Sequence, residues 1–372
     1  CNATCPTYQL LGDELDGPRG RIYQIKQVLE GGEASISVQR HLDRCLTCRA
    51  CETTCPSGVE YNKLLEIGRE LIEQRLPRSW LQQLYRKLLI YSFSESRRVG
   101  LLLSIARRFR PLLPTQLKKR IPLVVNTADA RPRTQARSML LLDGCVQPAA
   151  APHINKLAIQ VFDRLGIQLR TIAESGCCGA LQHHLADSEG ARDRARSNID
   201  AWWPLVEQGA EAIVVTATGC TPMVKDYRHL LRDDKQYAQR AQRISAMTKD
   251  LSEVLRREDL SELSPNTSKR IAFHSPCSLQ HAQKLDGVVE SLLKQAGFKL
   301  VAVRDAHLCC GSAGTYSILQ PALSTQLRDN KLDCLQEKQP DLIATANIGC
   351  LLHLQAKAEA PVIHWIELLA SG

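Results

Sequence analysis

The feature that most constrains this chain is a run of four cysteines within one short loop, CLTCRACETTC, followed at once by Pro56. The cysteines are Cys45, Cys48, Cys51 and Cys55, so the spacing is C-x2-C-x2-C-x3-C-P. A cubane 4Fe-4S cluster needs four thiolates, and such a loop can supply three of them while its fourth cysteine ligates a second cluster. Structural zinc more often joins two C-x2-C pairs from separate segments. The spacing therefore favours iron–sulfur ligation over zinc.

The sequence begins Cys1-Asn2-Ala3-Thr4-Cys5-Pro6, which matches the last two cysteines and the proline of a second copy of this motif. We therefore expect a fragment cut through its first motif. If the two motifs exchange their fourth ligands, one 4Fe-4S cluster is held by Cys5, Cys45, Cys48 and Cys51. Cys1 and Cys55 then hold the other cluster, with two ligands missing from the fragment. The alternative is that Cys1 and Cys5 are ordinary small buried residues.

The number and grouping of the cysteines indicate a compartment as well as a chemistry. Fifteen cysteines are clustered in a chain of 372 residues, whereas disulfide scaffolds are short and secreted. The clusters therefore indicate metal sites in a reducing environment. No apolar run approaches the ~18–20 residues needed to cross a bilayer. We expect a cytoplasmic protein, at most peripheral at the inner face of the cell membrane.

Positive charge is concentrated in one segment. The stretch 75–137 contains fifteen Lys and Arg but only two acids, Glu95 and Asp129, which gives +13 against +9 for the whole chain. A basic segment suits nucleic acid, an anionic membrane surface or an acidic protein partner. It has neither interleaved aromatic residues nor a nucleic-acid-binding motif, so no nucleic-acid partner is expected. The plainer alternative is a solvated helical connector.

The chain up to Arg137 shows a helical pattern. One helix is predicted from Pro18 to the Gly31-Gly32 pair, and a second over 62–74. The range 1–74 is therefore interpreted as a helical ferredoxin-type iron–sulfur domain. The range 75–137 is interpreted as a basic helical connector, with amphipathic helices over 81–91 and 99–109 before several prolines break the pattern.

From residue 138 onward the chain repeats itself. Cys145, Cys177-Cys178-Gly179 and Asn198 recur at a constant offset as Cys277, Cys309-Cys310-Gly311 and Asn330, and Cys220 recurs at a slightly shorter offset as Cys350. Predicted strands (139–142, 212–216, 271–273 and 342–345) alternate with helices, which indicates parallel sheets. We expect two tandem Rossmann-like α/β lobes, lobe 1 over 138–256 and lobe 2 over 269–372.

Each lobe is expected to gather its cysteines at one point. The carboxyl ends of parallel strands meet at one edge of a sheet, and Cys145, Cys220, Cys277 and Cys350 each follow a predicted strand. The Cys-Cys-Gly pairs precede long helices, whose dipole and free amides should favour thiolates. These eight residues are candidates for a redox or metal role: Cys145, Cys177, Cys178, Cys220, Cys277, Cys309, Cys310 and Cys350.

The doubled motif resembles the cysteine-rich domain of heterodisulfide reductase subunits and of iron–sulfur subunits of flavin-dependent 2-hydroxyacid dehydrogenases. Longer stretches resemble the iron–sulfur subunits of glycolate oxidase (glycolate dehydrogenase): CPTYQLLGDELDGPRGRIYQIKQVLE, HLDRCLTCRACETTCPSG, NIDAWW, LQHAQKL, HLCCGSAGTY and TANIGC. The resemblance implies two 4Fe-4S clusters. It also implies FAD-binding partner subunits that oxidise glycolate to glyoxylate, and electron transfer to a quinone-linked acceptor.

The lobes depart from the heterodisulfide reductase pattern, in which each lobe ends in C-x2-C. The positions three before Cys220 and Cys350 are Ala217 and Asn347, so each lobe offers four motif cysteines. An ordinary four-thiolate cluster, a dithiol pair or a vestigial fold remain as alternatives. Cys334 has no partner in the repeat and is expected to be a small buried residue. Five nearby histidines are candidate metal ligands or proton carriers: His183, His184, His274, His307 and His353.

No flavin, nicotinamide or phosphate-binding fingerprint is found in the sequence. A chain with clusters but no organic redox cofactor moves single electrons, so this chain is not expected to be catalytic alone. The alternatives are a subunit of a related lactate or anaerobic glycerol-3-phosphate dehydrogenase, a heterodisulfide reductase-like thiol redox subunit, and a zinc-stabilised scaffold.

Overall fold

The computed structural model describes residues 1–114, 118–119, 121–123, 125, 133–263 and 268–371. Much of the second half of the predicted basic connector, including Arg120, lies outside the described residues. The same is true of Gly372 and of the stretch 264–267 between the lobes.

The amino-terminal region is helical, as predicted. Its helices are α1 (Pro6–Leu11), α2 (Pro18–Leu29), α3 (Ile36–Asp43), α4 (Ala50–Thr53) and α5 (Tyr61–Arg75). Pro18 starts α2 because proline lacks only an amide that would be unpaired there. Ile25, Leu42 and Leu65 form the small apolar core between α2, α3 and α5. This core fixes the cysteine loop between α3 and α5.

Two further helices, α6 (Trp80–Phe93) and α7 (Ser96–Phe109), occupy the first half of the predicted connector. Each has one buried residue, Leu89 in α6 and Val99 in α7. Their large apolar side chains are mostly exposed instead: Trp80, Leu81, Leu84, Tyr85, Leu88, Tyr91, Leu101, Leu102, Ile105 and Phe109. These ten residues are called the connector apolar face below.

The remaining chain forms two lobes, each with a four-stranded parallel sheet. The strands are β1 (Arg137–Leu142), β2 (Ile167–Thr171), β3 (Ile213–Val215), β4 (Thr248–Asp250), β5 (Arg270–His274), β6 (Lys299–Val301), β7 (Leu342–Thr345) and β8 (Val362–His364). The orders are β2-β1-β3-β4 and β6-β5-β7-β8. In register, Leu141 pairs with Val214 and Ala272 with Ile343. The repeat therefore extends to sheet topology, and the predicted α/β fold is confirmed.

Helices cover both faces of each sheet. In lobe 1 they are Gln147–Ala150, His153–Arg164, Ala180–His184, Ser188–Glu207, Thr221–Lys225, Tyr227–Leu230, Ala238–Met247 and Leu251–Leu255. In lobe 2 they are a π-helical turn, Ser278–Ala282, and the helices Val288–Gln295, Tyr316–Leu319, Pro321–Gln336, Ile348–Gln355 and Trp365–Ala370. The edge strands β4 and β8 were not predicted, because such short strands carry little periodic signal.

One hydrophobic core runs through both lobes. It includes Leu141 and Leu255 of lobe 1 together with Phe273 and Trp365 of lobe 2. Backbone contacts also join the strand ends, since the amide of Thr218 donates to the carbonyl of Ala346 at 3.2 Å. The loops after β3 and β7 therefore meet at the junction of the lobes.

Candidate metal centre

Four cysteines from both motifs line one cavity. Cys5, Cys45, Cys48 and Cys51 share it with residues that include Arg21 and Tyr61. The loop curls tightly because Thr47 and Arg49 adopt left-handed backbone angles, φ 56° and 62°, a conformation uncommon for residues other than glycine. Four thiols around one cavity fit a 4Fe-4S cluster. These are the four residues that the predicted exchange of fourth ligands assigns to one cluster.

A buried cation lies beside this cavity. The guanidinium of Arg21 is 1% exposed and lies 4.0 Å from Cys5 Sγ. Its Nε donates to the carbonyl of His41 at 2.7 Å, and it forms an ion pair with Asp16. Asp16, fully buried, also accepts from Arg44 at 2.7 Å. The positive charge is thereby fixed next to sulfur atoms that must be anionic to bind metal.

The thiol of Cys45 receives the most support as a thiolate. Burial works to raise the pKa of Cys45, but the charges of Arg21 and Arg69 and the hydrogen bond from Tyr61 outweigh it and lower the pKa. The hydroxyl of Tyr61 lies 3.5 Å from Cys45 Sγ. In contrast, burial raises the pKa of Cys48 well above its ordinary value and that of Cys51 to about 12. These two thiols become anionic most readily through metal binding.

Cys1 and Cys55 lie apart from this cavity. The backbone amides of Val59, Ser57 and Gly58 lower the pKa of the Cys55 thiol. The two segments are joined through Thr4, whose hydroxyl contacts that of Thr54 at 3.1 Å. The segments that carry Cys1 and Cys55 are therefore neighbours, and the service of these two thiols to a second cluster stays a prediction.

Lobe 1 brings its four motif cysteines together. Cys177 shares hydrogen bonds with Cys145 and Cys178, and these lower its pKa well below the ordinary value. Cys178 in turn contacts Cys220. Two hydrogen bonds stabilise the backbone of the Cys177-Cys178 pair. Asn198 donates to the carbonyl of Cys177 at 2.9 Å, and Tyr227 donates to that of Cys178 at 2.9 Å.

Lobe 2 arranges its cysteines in the same sequence of contacts. The thiol of Cys277 lies 3.9 Å from Cys309 Sγ, Cys310 contacts Cys309, and Cys350 contacts Cys310. Lobe 2 adds an imidazole, because His274 lies with Cys310 and Cys350 in one buried group. Burial lowers the pKa of His274 well below its ordinary value.

The prediction that helix dipoles favour thiolates in the Cys-Cys-Gly pairs is wrong for three of the four residues. Hydrogen bonds to Cys177 and Cys220, together with burial, raise the pKa of Cys178. The contact with Cys277 lowers the pKa of Cys309, but the contact with Cys310 and burial raise this pKa by more. In the same way, the contact with Cys309 lowers the pKa of Cys310, but the contact with Cys350 and burial raise this pKa by more. Burial outweighs the dipole because these thiols lie inside the fold rather than at an open helix end.

The four-cysteine cavity adjoins lobe 2. Cys48 influences the pKa of Cys309, and Cys277 raises the pKa of Cys48. Leu46 packs against Tyr316 and Cys309. The hydroxyl of Tyr316 also donates to the carbonyl of Arg44 at 3.1 Å. The predicted iron–sulfur loop is therefore packed against the thiols of lobe 2.

Hydrogen bonds of His281 hold the amino-terminal domain against lobe 2. His281 Nε2 donates to the carbonyl of His307 at 2.8 Å, so its Nδ1 accepts from the hydroxyl of Thr53 at 2.9 Å. On the other side of the domain, His183 of lobe 1 pairs with Glu66 of α5 at 3.0 Å. The amino-terminal domain thus contacts both lobes.

The other candidate histidines occupy plainer environments. Burial lowers the pKa of His184 to about 3. His307 contributes its carbonyl, and His353 contacts the hydroxyl of Ser324 at 3.2 Å. Cys334 is buried within Pro321–Gln336, as predicted. Arg21, Tyr61 and His281 were missed, because nothing in the sequence marks which polar residues the fold carries to a cysteine loop.

The comparisons with known proteins match these regions. A family profile described as a 4Fe-4S dicluster domain matches residues 1–59, and one described as a cysteine-rich domain matches 139–225 and 271–355. The glycolate oxidase iron-sulfur subunit of Escherichia coli K12 is 50% identical over 99% of this chain and 91% of its own length.

Two other relatives are more distant. The probable glycolate oxidase iron-sulfur subunit of Bacillus subtilis 168 is 30% identical over 96% of this chain and 87% of its own length. Lactate utilization protein A of Bacillus velezensis is 27% identical over 61% of this chain and 96% of its own length. These similarities confirm the resemblance on which the sequence analysis relied.

Proposed function

The chain belongs to the family of glycolate oxidase iron–sulfur subunits, and from that premise we propose that it relays single electrons in a glycolate dehydrogenase complex. The electrons come from an FAD-binding partner subunit that oxidises glycolate to glyoxylate, and they pass towards a quinone-linked acceptor. The observation that carries this proposal is the meeting of Cys5, Cys45, Cys48 and Cys51 around one cavity.

The residues around the cavity have separable roles. Cys5, Cys45, Cys48 and Cys51 would hold a 4Fe-4S cluster, which supplies reversible one-electron chemistry when bound. The fixed charge of Arg21 offsets the negative charge of the thiolates, and Tyr61 donates to Cys45. Leu46, 6% exposed, excludes water on the side towards lobe 2. Cys1 and Cys55 would serve a second cluster of the same kind.

A relay also requires neighbouring sites within short range. Cys48 lies beside Cys277 and Cys309, so the cavity adjoins a second sulfur-rich site rather than bulk water. This arrangement supports passage of charge along one side of the chain, between the amino-terminal domain and lobe 2. No organic cofactor is required on this chain, and the two-electron chemistry belongs to the FAD-binding partner.

The decisive experiment replaces Cys48 by serine in the assembled complex, purified anaerobically. We expect loss of about one cluster's iron, loss of the matching paramagnetic signal on reduction, and collapse of glycolate-dependent dye reduction. Cys334→Ser is the matched control, because Cys334 is buried but lies outside every cysteine cluster described here. Full iron content, an unchanged signal and undiminished dye reduction in Cys48→Ser would overturn the proposal.

We also propose peripheral attachment at the inner face of the cell membrane, through the connector apolar face. Among the described residues, no helix is both long and apolar enough to cross a membrane. The connector apolar face nevertheless exposes Trp80, Leu84 and Leu88, with Lys87 and Arg97 exposed on the same two helices. Apolar side chains beside cations are typical of helices that lie in an anionic lipid interface.

A second candidate function is a thiol redox role for lobe 1. The contact of Cys177 with Cys145 and Cys178, and its lowered pKa, favour a reactive thiolate. Oxidation of two of these thiols to a disulfide would release two electrons and two protons, the electrons passing to the iron–sulfur sites. Thiol counting on anaerobically reduced and oxidised samples tests this role, with a change of two thiols expected and with Cys177→Ser abolishing it.

A further inference from the structure

We propose that Arg69 is a positioning residue of the electron relay. Its guanidinium holds the cysteine loop in the conformation that binds a cluster, and its fixed positive charge favours the reduced state of that cluster. This inference rests on the relay function proposed above. It gives a side chain of α5, outside both cysteine motifs, a role in cluster retention and in the reduction potential.

Arg69 reaches the cysteine loop from α5 through its guanidinium. One terminal nitrogen donates to the carbonyls of Leu42 at 2.9 Å and of Cys45 at 2.8 Å, and the other donates to the hydroxyl of Thr47 at 3.1 Å. Leu42 lies in the last turn of α3, whereas Cys45 and Thr47 belong to the loop that follows. The guanidinium therefore joins the end of α3 to the beginning of the cysteine loop.

The backbone held by these bonds is strained. Thr47 lies between Cys45 and Cys48 and has a left-handed conformation, φ 56°, which is unfavourable for a β-branched residue. Strained backbone persists only where the surrounding structure determines it. The hydrogen bond from Arg69 to the Thr47 side chain is one such contact. Arg69 therefore helps to set the relative positions of two thiols that are predicted to bind the same cluster.

A planar guanidinium suits this role better than an ammonium group does. Its N–H donors point in fixed directions, so one side chain can serve acceptors at separate points of a turn. A lysine at this position would keep the charge, but it would lack the two separate nitrogens that contact Thr47 and the carbonyls. The substitution Arg69→Lys therefore separates the positional role from the electrostatic one.

The charge of Arg69 is not neutralised by a carboxylate. In the part of the chain that the structure describes, its guanidinium bonds to two carbonyls and a hydroxyl and forms no ion pair. By contrast, Arg21 is paired with Asp16 at 3.4 Å. Arg69 therefore contributes an uncompensated positive charge beside the loop, and it interacts electrostatically with the thiol of Cys45.

This charge should affect the cluster that Cys45 serves. A cluster becomes more negative by one charge when it accepts an electron, and a fixed cation near a ligating sulfur stabilises that more negative state. Arg69 is partly buried, so salt screens its charge less than that of an exposed side chain. Loss of the charge should therefore lower the reduction potential of this cluster, and the shift should persist at high salt.

The experiment uses the assembled complex, purified anaerobically, and compares three variants with the parent. Arg69→Gln removes the charge and the guanidinium, Arg69→Lys keeps only the charge, and Arg75→Gln is the control. Arg75 lies on the same helix and also donates to a carbonyl, that of Val28 at 2.8 Å, which belongs to α2 and not to the cysteine loop. The reduction potential is measured by a redox titration followed by paramagnetic resonance, at low and high salt. Cluster retention is measured as the rate of iron release to a chelator.

In Arg69→Gln we expect the ratio of reduced to oxidised cluster at a fixed potential to fall about tenfold, which is about 59 mV for a one-electron couple. Iron should also be released about tenfold faster, as expected on loss of an outer partner of metal ligands. Arg69→Lys should release iron as fast as Arg69→Gln does, but its potential should stay near that of the parent. Arg75→Gln should match the parent in both measurements.

Circular dichroism establishes that each variant is folded. The inference is overturned if folded Arg69→Gln keeps either the potential or the iron-release rate of the parent, or if Arg75→Gln changes both as much as Arg69→Gln does. Failure of the relay function itself has a different signature, because the paramagnetic signal would then be unaffected by Cys48→Ser, whatever the Arg69 variants do.

Discussion

The hydroxyl of Tyr61 donates to Cys45 Sγ across 3.5 Å, from the interior of the amino-terminal domain. Hydrogen bonds to a ligating sulfur stabilise the reduced, more negative state of a cluster and raise its reduction potential. Tyr61→Phe removes this bond with little change in the volume of the side chain. With about 1 kcal/mol for the bond, we expect the potential to fall by roughly 40 mV, measured by a redox titration followed by paramagnetic resonance.

Tyr316→Phe is the control for this prediction. Tyr316 packs against Leu46 beside the same loop, but its hydroxyl donates to the carbonyl of Arg44 rather than to sulfur. A shift of equal size in Tyr316→Phe would show that the loss of any nearby hydroxyl suffices, and the role given to Tyr61 would be wrong.

The cysteine thiols should differ in reactivity in the metal-free chain. Backbone amides lower the pKa of Cys55 below its ordinary value of 9.0, while burial raises that of Cys51 to about 12. Because the thiolate is the reactive form, Cys55 should be alkylated half-maximally below pH 9 and Cys51 only near pH 12. Isotope-coded iodoacetamide and peptide mass spectrometry across pH measure both. Alkylation of Cys51 at the lower pH of the two would contradict the assignment.

The ion pair between Glu66 and His183 should make stability depend on pH. Burial works against both charges, but the hydrogen bond between them outweighs it, lowering the pKa of Glu66 from 4.5 and raising that of His183 from 6.5. The pair therefore stabilises fully between about pH 4.5 and 6.5. Its contribution is lost as pH rises through the raised pKa of His183, or falls through the lowered pKa of Glu66.

Glu66→Gln tests this directly in urea unfolding at several pH values. We expect a loss of up to about 1 kcal/mol near pH 6 and no difference from the parent at high pH. Glu70→Gln, an exposed change on the same helix, serves as the control. A pH-independent loss in Glu66→Gln would indicate that packing, and not the charge on His183, is responsible.

The connector apolar face should bind anionic vesicles. The double variant Leu84→Glu, Leu88→Glu places two carboxylates on the exposed face of α6. Both leucines are more than half exposed, and burial of one in lipid is worth about 1.5 kcal/mol. We expect binding to phosphatidylglycerol vesicles, measured by flotation, to fall more than tenfold. Ile67→Glu, on the exposed side of α5, should bind normally. Absence of vesicle binding by the parent chain would exclude this role.

The cysteine spacing and the internal repeat made much of the architecture predictable. A motif of four thiols prescribes a short loop, and a constant offset between equivalent cysteines such as Cys145 and Cys277 requires two similar lobes. The helix from Pro18 and the strand Leu342–Thr345 were predicted closely, because their ends carry proline, glycine or a sharp change in polarity. The ends of such helices and strands are determined by residues close to them in the sequence.

The environment of the sulfurs was not predictable from spacing. Arg21 reaches Cys5 from a separate helix, and His281 of lobe 2 reaches Thr53 from far along the chain. Contacts of this kind depend on how helices and lobes pack. The expectation about helix dipoles failed for the same reason, because the depth at which Cys178 and Cys310 are buried is a property of the whole fold.

The core shared by the lobes has a consequence for how this protein melts. Leu141 and Phe273 belong to one continuous apolar interior, so separating the halves would expose hydrophobic surface on each. We expect the duplicated units to lose structure together in one calorimetric transition, rather than as two independent domains. On this expectation, the two copies of the repeat behave as a single thermodynamic unit.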